Sequence, residues 1–216
     1  CEPSIDRKFF DYQGNMWFTS THDLTLVNFN THRFQIIPIA SKREVRSVCA
    51  LPSGLVYAGL NNGWVASVTP DGGTAQFVGS TGELGTNPYA FSEKIYAIYH
   101  DSKSRLWMGD RVHGIYLKCP GNAMQHLVHD DKDKYSLGDD HIYDIFEDSQ
   151  HRIWVATYGG GLNLVQMMPN GKIRFLSSRN VFKNYPKEKF DRVRRITETR
   201  DGLLIASTTD GLLVFD

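Results

Sequence analysis

One pattern recurs along this chain every 40 to 50 residues, and a repeat of that length leaves few folds open. IYAIYHDSKSRLWMGDRVHGIYL begins at Ile95, IYDIFEDSQHRIWVATYGGGLNL at Ile142 and VRRITETRDGLLIASTTDGLLVF at Val193. A looser copy, VRSVCALPSGLVYAGLNNGWVASV, begins at Val45, and a partial one, DYQGNMWFTSTHDLTLVNF, at Asp11. Each holds an apolar strand, a polar turn, a second strand with a large anchor and, usually, a Gly seven residues further on. The anchors are Trp17, Tyr57, Trp107, Trp154 and Leu204. Several short strands per unit at this period indicate a β-propeller. Its core is structural, so function is expected in its loops and central funnel.

Composition narrows the partners. The 24 basic and 24 acidic residues cancel, and no basic stripe is present, so nucleic acid and anionic membrane are not expected to be contacted. Hydrophobic content of 41% suffices for a buried core. No apolar run approaches the ~18 residues of a membrane span. Cys49 falls in an innermost strand, where a thiol acts as a small hydrophobe, and Cys119 ends a third strand. Cys1 is read as a boundary rather than an acylated terminus. No Cys/His spacing fits zinc, and no metal or other cofactor is expected.

The unit from Ile142 parses into four strands: A over residues 142–147, B over 152–157, C over 162–167 and D over 172–176. β-branched and aromatic residues fill the strands, and Gly159-Gly160-Gly161 and Pro169-Asn170-Gly171 mark the turns. Further D strands are expected over 33–37, 74–78 and 124–128, with loops over 79–94, 130–141 and 177–192. The blades then run 5–41, 45–79, 95–129, 142–177 and 193–216. The expected fold is all-β: a β-propeller segment of about five four-stranded blades and roughly nineteen strands. The last unit stops after strand C, so the expectation is an open arc. Further propeller blades or a second chain would complete it at the open ends.

The stretch 136–165, SLGDDHIYDIFEDSQHRIWVATYGGGLNLV, resembles the two-component regulator propeller repeat. Ser136-Leu137, the run Ile142 to Asp148, Ile153-Trp154-Val155-Ala156-Thr157 and Gly160-Gly161-Leu162 match its pattern, with Ala156 where Gly is usual. The segment 95–117 matches with His113-Gly114-Ile115. The last unit matches through Thr209-Asp210-Gly211-Leu212, and the unit from Val45 is degenerate. The resemblance implies a seven-bladed propeller within the periplasmic part of an inner-membrane-anchored hybrid two-component sensor. A homodimer would signal to a histidine kinase in response to an oligosaccharide. The repeat motif is structural and names no ligand residue.

Several motifs invite catalysis or metal chemistry and fail on geometry. Glu147 and Asp148 are adjacent in a strand and face opposite ways, so they cannot flank one scissile bond; Asp148 is read as a turn cap. His126, His129, Asp130, Asp131 and Asp133 fit no calcium loop and are read as a solvated acidic loop. The glycine triplet has no following helix and no Lys-Ser/Thr, so it is no phosphate cradle. No nucleophile elbow is present.

One set of residues remains. Strand A begins at the ring face shared by the D–A and B–C loops. Its second residue is Arg46, Tyr96, Tyr143 and Arg194 in successive units, and nearby loops add Arg111, His113, His141 and Tyr158. These positions are expected to ring the funnel mouth. Aromatics that stack on sugar faces, beside Arg forks that hold carboxylate or sulfate, suit an oligosaccharide site. The expectation is ligand sensing without catalysis. The rivals are a propeller lyase or glycosidase, which needs paired carboxylates or a metal-His set, and an interaction scaffold with a flat polar face.

Overall fold

The computed structural model describes residues 7–19, 23–28, 33–39, 43–71 and 75–215. The expected boundaries at residues 5, 41 and 216, Thr74 and the stretch 1–4 lie outside them. Five antiparallel sheets follow in sequence, each made of consecutive strands. Blade one holds β1 (Arg7–Phe10), β2 (Met16–Thr19), β3 (Leu24–Asn28) and β4 (Arg33–Ile37). Blade two holds β5 (Val45–Ala50), β6 (Val56–Leu60), β7 (Val65–Val68), β8 (Gln76–Val78) and β9 (Leu84–Gly85). Blade three holds β10 (Ile95–His100), β11 (Leu106–Asp110), β12 (Ile115–Lys118) and β13 (Gln125–Leu127). Blade four holds β14 (Ile142–Glu147), β15 (Ile153–Thr157), β16 (Gly161–Met167) and β17 (Ile173–Leu176). Blade five holds β18 (Val193–Glu198), β19 (Leu204–Thr208) and β20 (Leu212–Phe215). The fold is an all-β propeller segment, and its five inner strands line one central cavity of about 320 Å³.

Two details differ from expectation, the strand count of blade two and a helical turn, while the three strands of blade five are as expected. Blade two has five strands, because β9 folds back on β8 inside the segment 79–94 read as loop. The segment 177–192 contains a single helical turn, α1 (Lys187–Phe190). No helix falls within 95–117, 142–165 or 193–215.

Blade cohesion comes from four buried layers, each shared by two neighbours. Trp17 packs with Val45, Val56 and Ala58 of blade two. Trp107 packs with Ile142, Ile145 and Val155 of blade four, and Trp154 with Val193, Ile196 and Leu204 of blade five. Trp17 and Trp107 are fully buried and Trp154 is 5% exposed. Burying such a side chain contributes roughly 2–3 kcal/mol. The anchor of the last unit is not Leu204 but Ile205. Thr197 pairs with Ile205 as Phe146 pairs with Trp154, while Leu204 takes the place of Ile153. The B–C turn of blade five is one residue shorter, so counting back from Gly211 shifts the anchor by one.

Each Trp anchor is tied to a carboxylate six residues before it. The indole Nε1 groups of Trp17, Trp107 and Trp154 donate to Asp11, Asp101 and Asp148, each at 2.8 Å. The Asp148 carboxylate also accepts the backbone N–H groups of Gln150 and Arg152, so it caps the A–B turn. Burial by itself would raise the Asp148 pKa; the bonds from Trp154 and Arg152 outweigh it and hold the carboxyl below its ordinary value. Where the anchor is Tyr57 or Ile205, the Asp position holds Leu51 or Thr199, so donor and acceptor vary together within one chain. Glu147 and Glu198 serve a different joint. The Glu147 carboxylate accepts from the backbone and hydroxyl of Ser102, and Glu198 likewise from Ser149, stapling each blade to the one before.

Small and large residues alternate across the layers. A Cβ on Gly109 would lie 2.9 Å from Ile142 Cβ, and one on Gly59 2.7 Å from Ile95 Cγ2. The same position in blade four is Ala156, and the facing strand begins with the smaller Val193 in the same buried cluster. The departure from Gly at Ala156 is thus matched by one methylene less opposite it, as close packing requires.

Candidate ligand-binding site at the propeller mouth

The inner strands share a defect in the same place. In β5, β10, β14 and β18 the register shifts between the first and third residues, for example Ile142 opposite Thr157 but Asp144 opposite Ala156. The second residue is therefore the extra residue of a β-bulge. A bulge resets the alternation of faces. Ile142 and Ile145, three apart, both enter one inter-blade layer, as do Ile95 and Ile98. The four bulge residues are Arg46, Tyr96, Tyr143 and Arg194, the ones expected at the mouth.

Six of the eight expected residues form one connected array. Arg46 lies over the Tyr96 ring at 5.8 Å and Arg111 over the same ring at 5.6 Å. Tyr96 meets Tyr143 edge-on at 5.5 Å, and Tyr143 stacks on Tyr158 at 5.2 Å. Arg194 lies over both Tyr143, at 4.7 Å, and Tyr158, at 4.6 Å. Such cation–π contacts contribute roughly 0.5–1 kcal/mol each at exposed sites. The array draws on blades two to five.

The two histidines stand outside it. His113 Nδ1 contacts the Ser92 hydroxyl and lies 3.1 Å from Asp110, and its carbonyl accepts from His126 Nε2 at 2.6 Å. His141 Nδ1 is 2.9 Å from Asp139. Both sit on loops at the same face, but neither has a ring contact with the array.

Arg192 was not among the expected residues and belongs to the array, over the Tyr158 ring at 5.3 Å. A rule within the repeat would have found it. The residue just before each inner strand accepts, through its carbonyl, a hydrogen bond from the first B–C loop residue. The pairs are Glu44 with Asn61, Lys94 with Arg111, His141 with Tyr158 and Arg192 with Thr209. Each unit therefore places three side chains at the mouth, and of the register before the inner strand only His141 was among the expected residues. A β-bridge between Tyr158 and Arg192 locks the pair further.

The glycine triplet serves this locking. Gly159 and Gly161 both donate to the Asp191 carbonyl at 2.9 Å. Gly161, at φ +68°, leaves no room for a Cβ beside Tyr185, and Gly160 lies against the backbone of Gly138. Only glycine permits that approach.

Charges at the mouth are unevenly paired. Arg46 is ion-paired with Glu44. Among the described residues, Arg111, Arg192 and Arg194 have no carboxylate within ion-pair distance. Two nearby carboxylates are engaged in turns: Asp110 accepts the backbone N–H groups of Lys94, Val112 and His113, and Asp139 that of His141. Below the mouth, the central cavity carries Asp144, which accepts the backbone N–H of Ile196 at 2.8 Å and lies 3.9 Å from Arg195.

The other candidate motifs are structural. His129 is wedged in the 130–141 loop, with Nδ1 2.6 Å from the Leu137 carbonyl and Nε2 3.0 Å from Asp131. Burial opposes its charging, but these two acceptors outweigh burial and raise its pKa. Arg179 clamps the loop through Ser136 Oγ and the Asp130 carbonyl, both at 2.9 Å, so this is a tied loop rather than a merely solvated one. No group of three metal-ligating side chains occurs among the described residues. Burial lifts the Cys49 thiol to about 11, the behaviour of a core residue.

Residues 136–159 match the family model described as two component regulator propeller. No curated protein matches the chain in sequence. Among solved structures, the chain is similar to an extracellular domain from B. thetaiotaomicron described as that of a hybrid two component system. Identity is 17% and the TM-score 0.58, over 99% of this chain and 34% of that domain. It is also similar to PorZ, a surface component of the type-IX secretion system of Porphyromonas gingivalis, at 19% identity and TM-score 0.66, covering 98% of this chain and 32% of PorZ. Virginiamycin B lyase from Staphylococcus aureus aligns at 15% identity and TM-score 0.65, over 98% of this chain and 69% of the lyase. At these identities the likeness is one of fold. The chain spans about a third of the length of the first two. Among the described residues no helix is long and apolar enough to cross a membrane.

Proposed function

We propose that this chain, which carries the two-component regulator propeller repeat, is the ligand-sensing part of an extracytoplasmic two-component sensor and binds an oligosaccharide at the propeller mouth. The observation that carries the reading is the array of Arg46, Tyr96, Arg111, Tyr143, Tyr158 and Arg194, held by four bulges at one end of the central cavity. Polyhydroxylated ligands are held by guanidinium and phenol groups fixed before binding, because fixed groups lose little entropy when the ligand arrives.

The array spans four blades, so a ligand seated on it bridges them. Bridging favours whichever relative blade arrangement makes all the contacts, and a ligand shifts a conformational equilibrium by its difference in affinity for the two states. In a periplasmic homodimer of the full-length protein, completed by further blades, that shift would pass through a membrane anchor to a histidine kinase. The reading is binding rather than catalysis: Glu147 and Asp148 are both committed to structural joints, and no metal or other cofactor is invoked.

A glycan array followed by calorimetry on the 216-residue chain tests this. Binding of an oligosaccharide that is lost in Tyr143→Ala and Arg194→Ala, with the chain still folded and its melting lowered only modestly, is the expected result. Binding that survives both substitutions would move the site away from the mouth.

A further inference from the structure

The tyrosines of the mouth are already in contact with arginines and with one another. Tyr158 is stacked on Tyr143 and has Arg192 and Arg194 over it; Tyr96 has Arg46 and Arg111 over it. A neutral pyranose stacking on these rings, as the sequence suggests, would compete with the guanidinium groups already placed over them. The groups left facing a ligand are the edges of the guanidinium planes. Arg192 and Arg194 are exposed, and with Arg111 they have no carboxylate partner among the described residues.

Resting on the reading of the mouth as a saccharide site, we propose that its ligand is an acidic saccharide. A carboxylate or sulfate is held at the Arg192–Arg194 edge, and the neighbouring residue of the sugar chain reaches Arg111. Three arguments converge. Arg192 and Arg194 share one aromatic ring, so their like charges are held near each other by the fold, and an anion between them relieves that repulsion. The tyrosine faces fix the guanidinium planes, leaving N–H forks directed for bidentate contact with planar carboxylate or with sulfate. The whole chain is neutral, with 24 basic and 24 acidic residues, so this local excess is not a by-product of a basic protein.

The contrast within the same fold strengthens the case. Arg105 and Arg152 also lie over aromatic rings, those of Trp107 and Trp154, but each is ion-paired with Asp101 or Asp148. At both of these A–B turns the chain supplies the carboxylate; for Arg111, Arg192 and Arg194 none is supplied among the described residues, and the ligand takes that role.

The test is calorimetry on the full chain with tetragalacturonate and with the same tetrasaccharide reduced at C6 to neutral galactose units. The expected result is affinity at least ~10-fold higher for the charged chain, as one charge-assisted contact implies, and weakening as salt is raised. Arg192→Gln with Arg194→Gln should abolish that preference while the chain stays folded with a melting temperature lowered only modestly, since both side chains are exposed and lose only cation–π contacts. Sodium sulfate should compete with tetragalacturonate more strongly than sodium chloride at equal ionic strength. Equal affinity for the two tetrasaccharides would overturn the charge preference and leave saccharide binding at the mouth intact. Binding of neither would overturn both.

Discussion

The two ends of the inner strands use the same chemistry for opposite purposes. At the A–B turns, Arg105 and Arg152 lie against Trp107 and Trp154, and each is closed off by a buried aspartate. At the mouth, Arg111, Arg192 and Arg194 lie against tyrosines with no carboxylate to close them among the described residues. An arginine on an aromatic ring is therefore not informative by itself. The state of its N–H edge decides: satisfied within the fold, it is part of the frame, and unsatisfied at a concave surface, it is available to a ligand.

Substitutions at the two ends should separate stability from binding. The largest effect is expected for Trp154→Ala, which should reduce unfolding free energy by about 3–5 kcal/mol, the range for removing a large buried aromatic. Chemical denaturation reads this directly, and a loss comparable to that of a mouth residue would mean the frame and the site were misassigned.

Next comes Gly109→Ala. Its new Cβ would collide with Ile142, for an expected loss of about 1–3 kcal/mol. Ile142→Val in the same chain should recover part of it, reproducing the Ala156–Val193 pairing already present one blade later. Failure of that rescue would show that small-to-large matching does not govern the layers.

Asp148→Asn should be destabilising by about 1–3 kcal/mol near neutral pH, since the charged acceptor of Trp154 and Arg152 is lost. The pH dependence has a definite sign. The folded-state pKa of Asp148 lies below the ordinary value of 3.8, so its contribution is complete above that value and fades as the carboxylate is protonated on further acidification. The difference between wild type and Asp148→Asn should therefore shrink as pH falls below 3.8. A difference that stays constant with pH would mean the carboxylate charge is not what Trp154 and Arg152 require.

The smallest stability effect is expected at the mouth. Tyr158→Ala should reduce stability by under about 1 kcal/mol, because its ring is only partly buried and its losses are of cation–π and stacking contacts. Binding to the mouth should be weakened in the same variant.

Much of the frame was readable along the chain. The unit of four strands in blade four, its turns and the burial of Trp107 and Trp154 follow from local periodicity and turn residues. The mouth was readable in part. The second residue of each inner strand was identified, but the reason was hidden: apolar residues at the first and fourth positions, as in Ile142 and Ile145, do not fit simple alternation and signal an inserted residue. That spacing was the available clue to the bulges. Arg192 was missed because its role follows from a carbonyl contact between loops remote in sequence from each other.

What the chain's own order determined is whatever depends on neighbours a few residues apart: strand periodicity, turn chemistry, the Asp-to-Trp spacing of six residues, and the number of units. What only the tertiary structure decided is what depends on the meeting of separate units. Ala156 is accommodated because Val193 faces it, and the mouth tyrosines meet guanidinium groups because arginines from adjoining blades reach them. The physical reason is common to both. Hydrogen-bonded turns and alternating faces are set by short-range backbone geometry, whereas packing volume and charge compensation are set by which atoms come to lie across an interface, and no single repeat contains both sides of it.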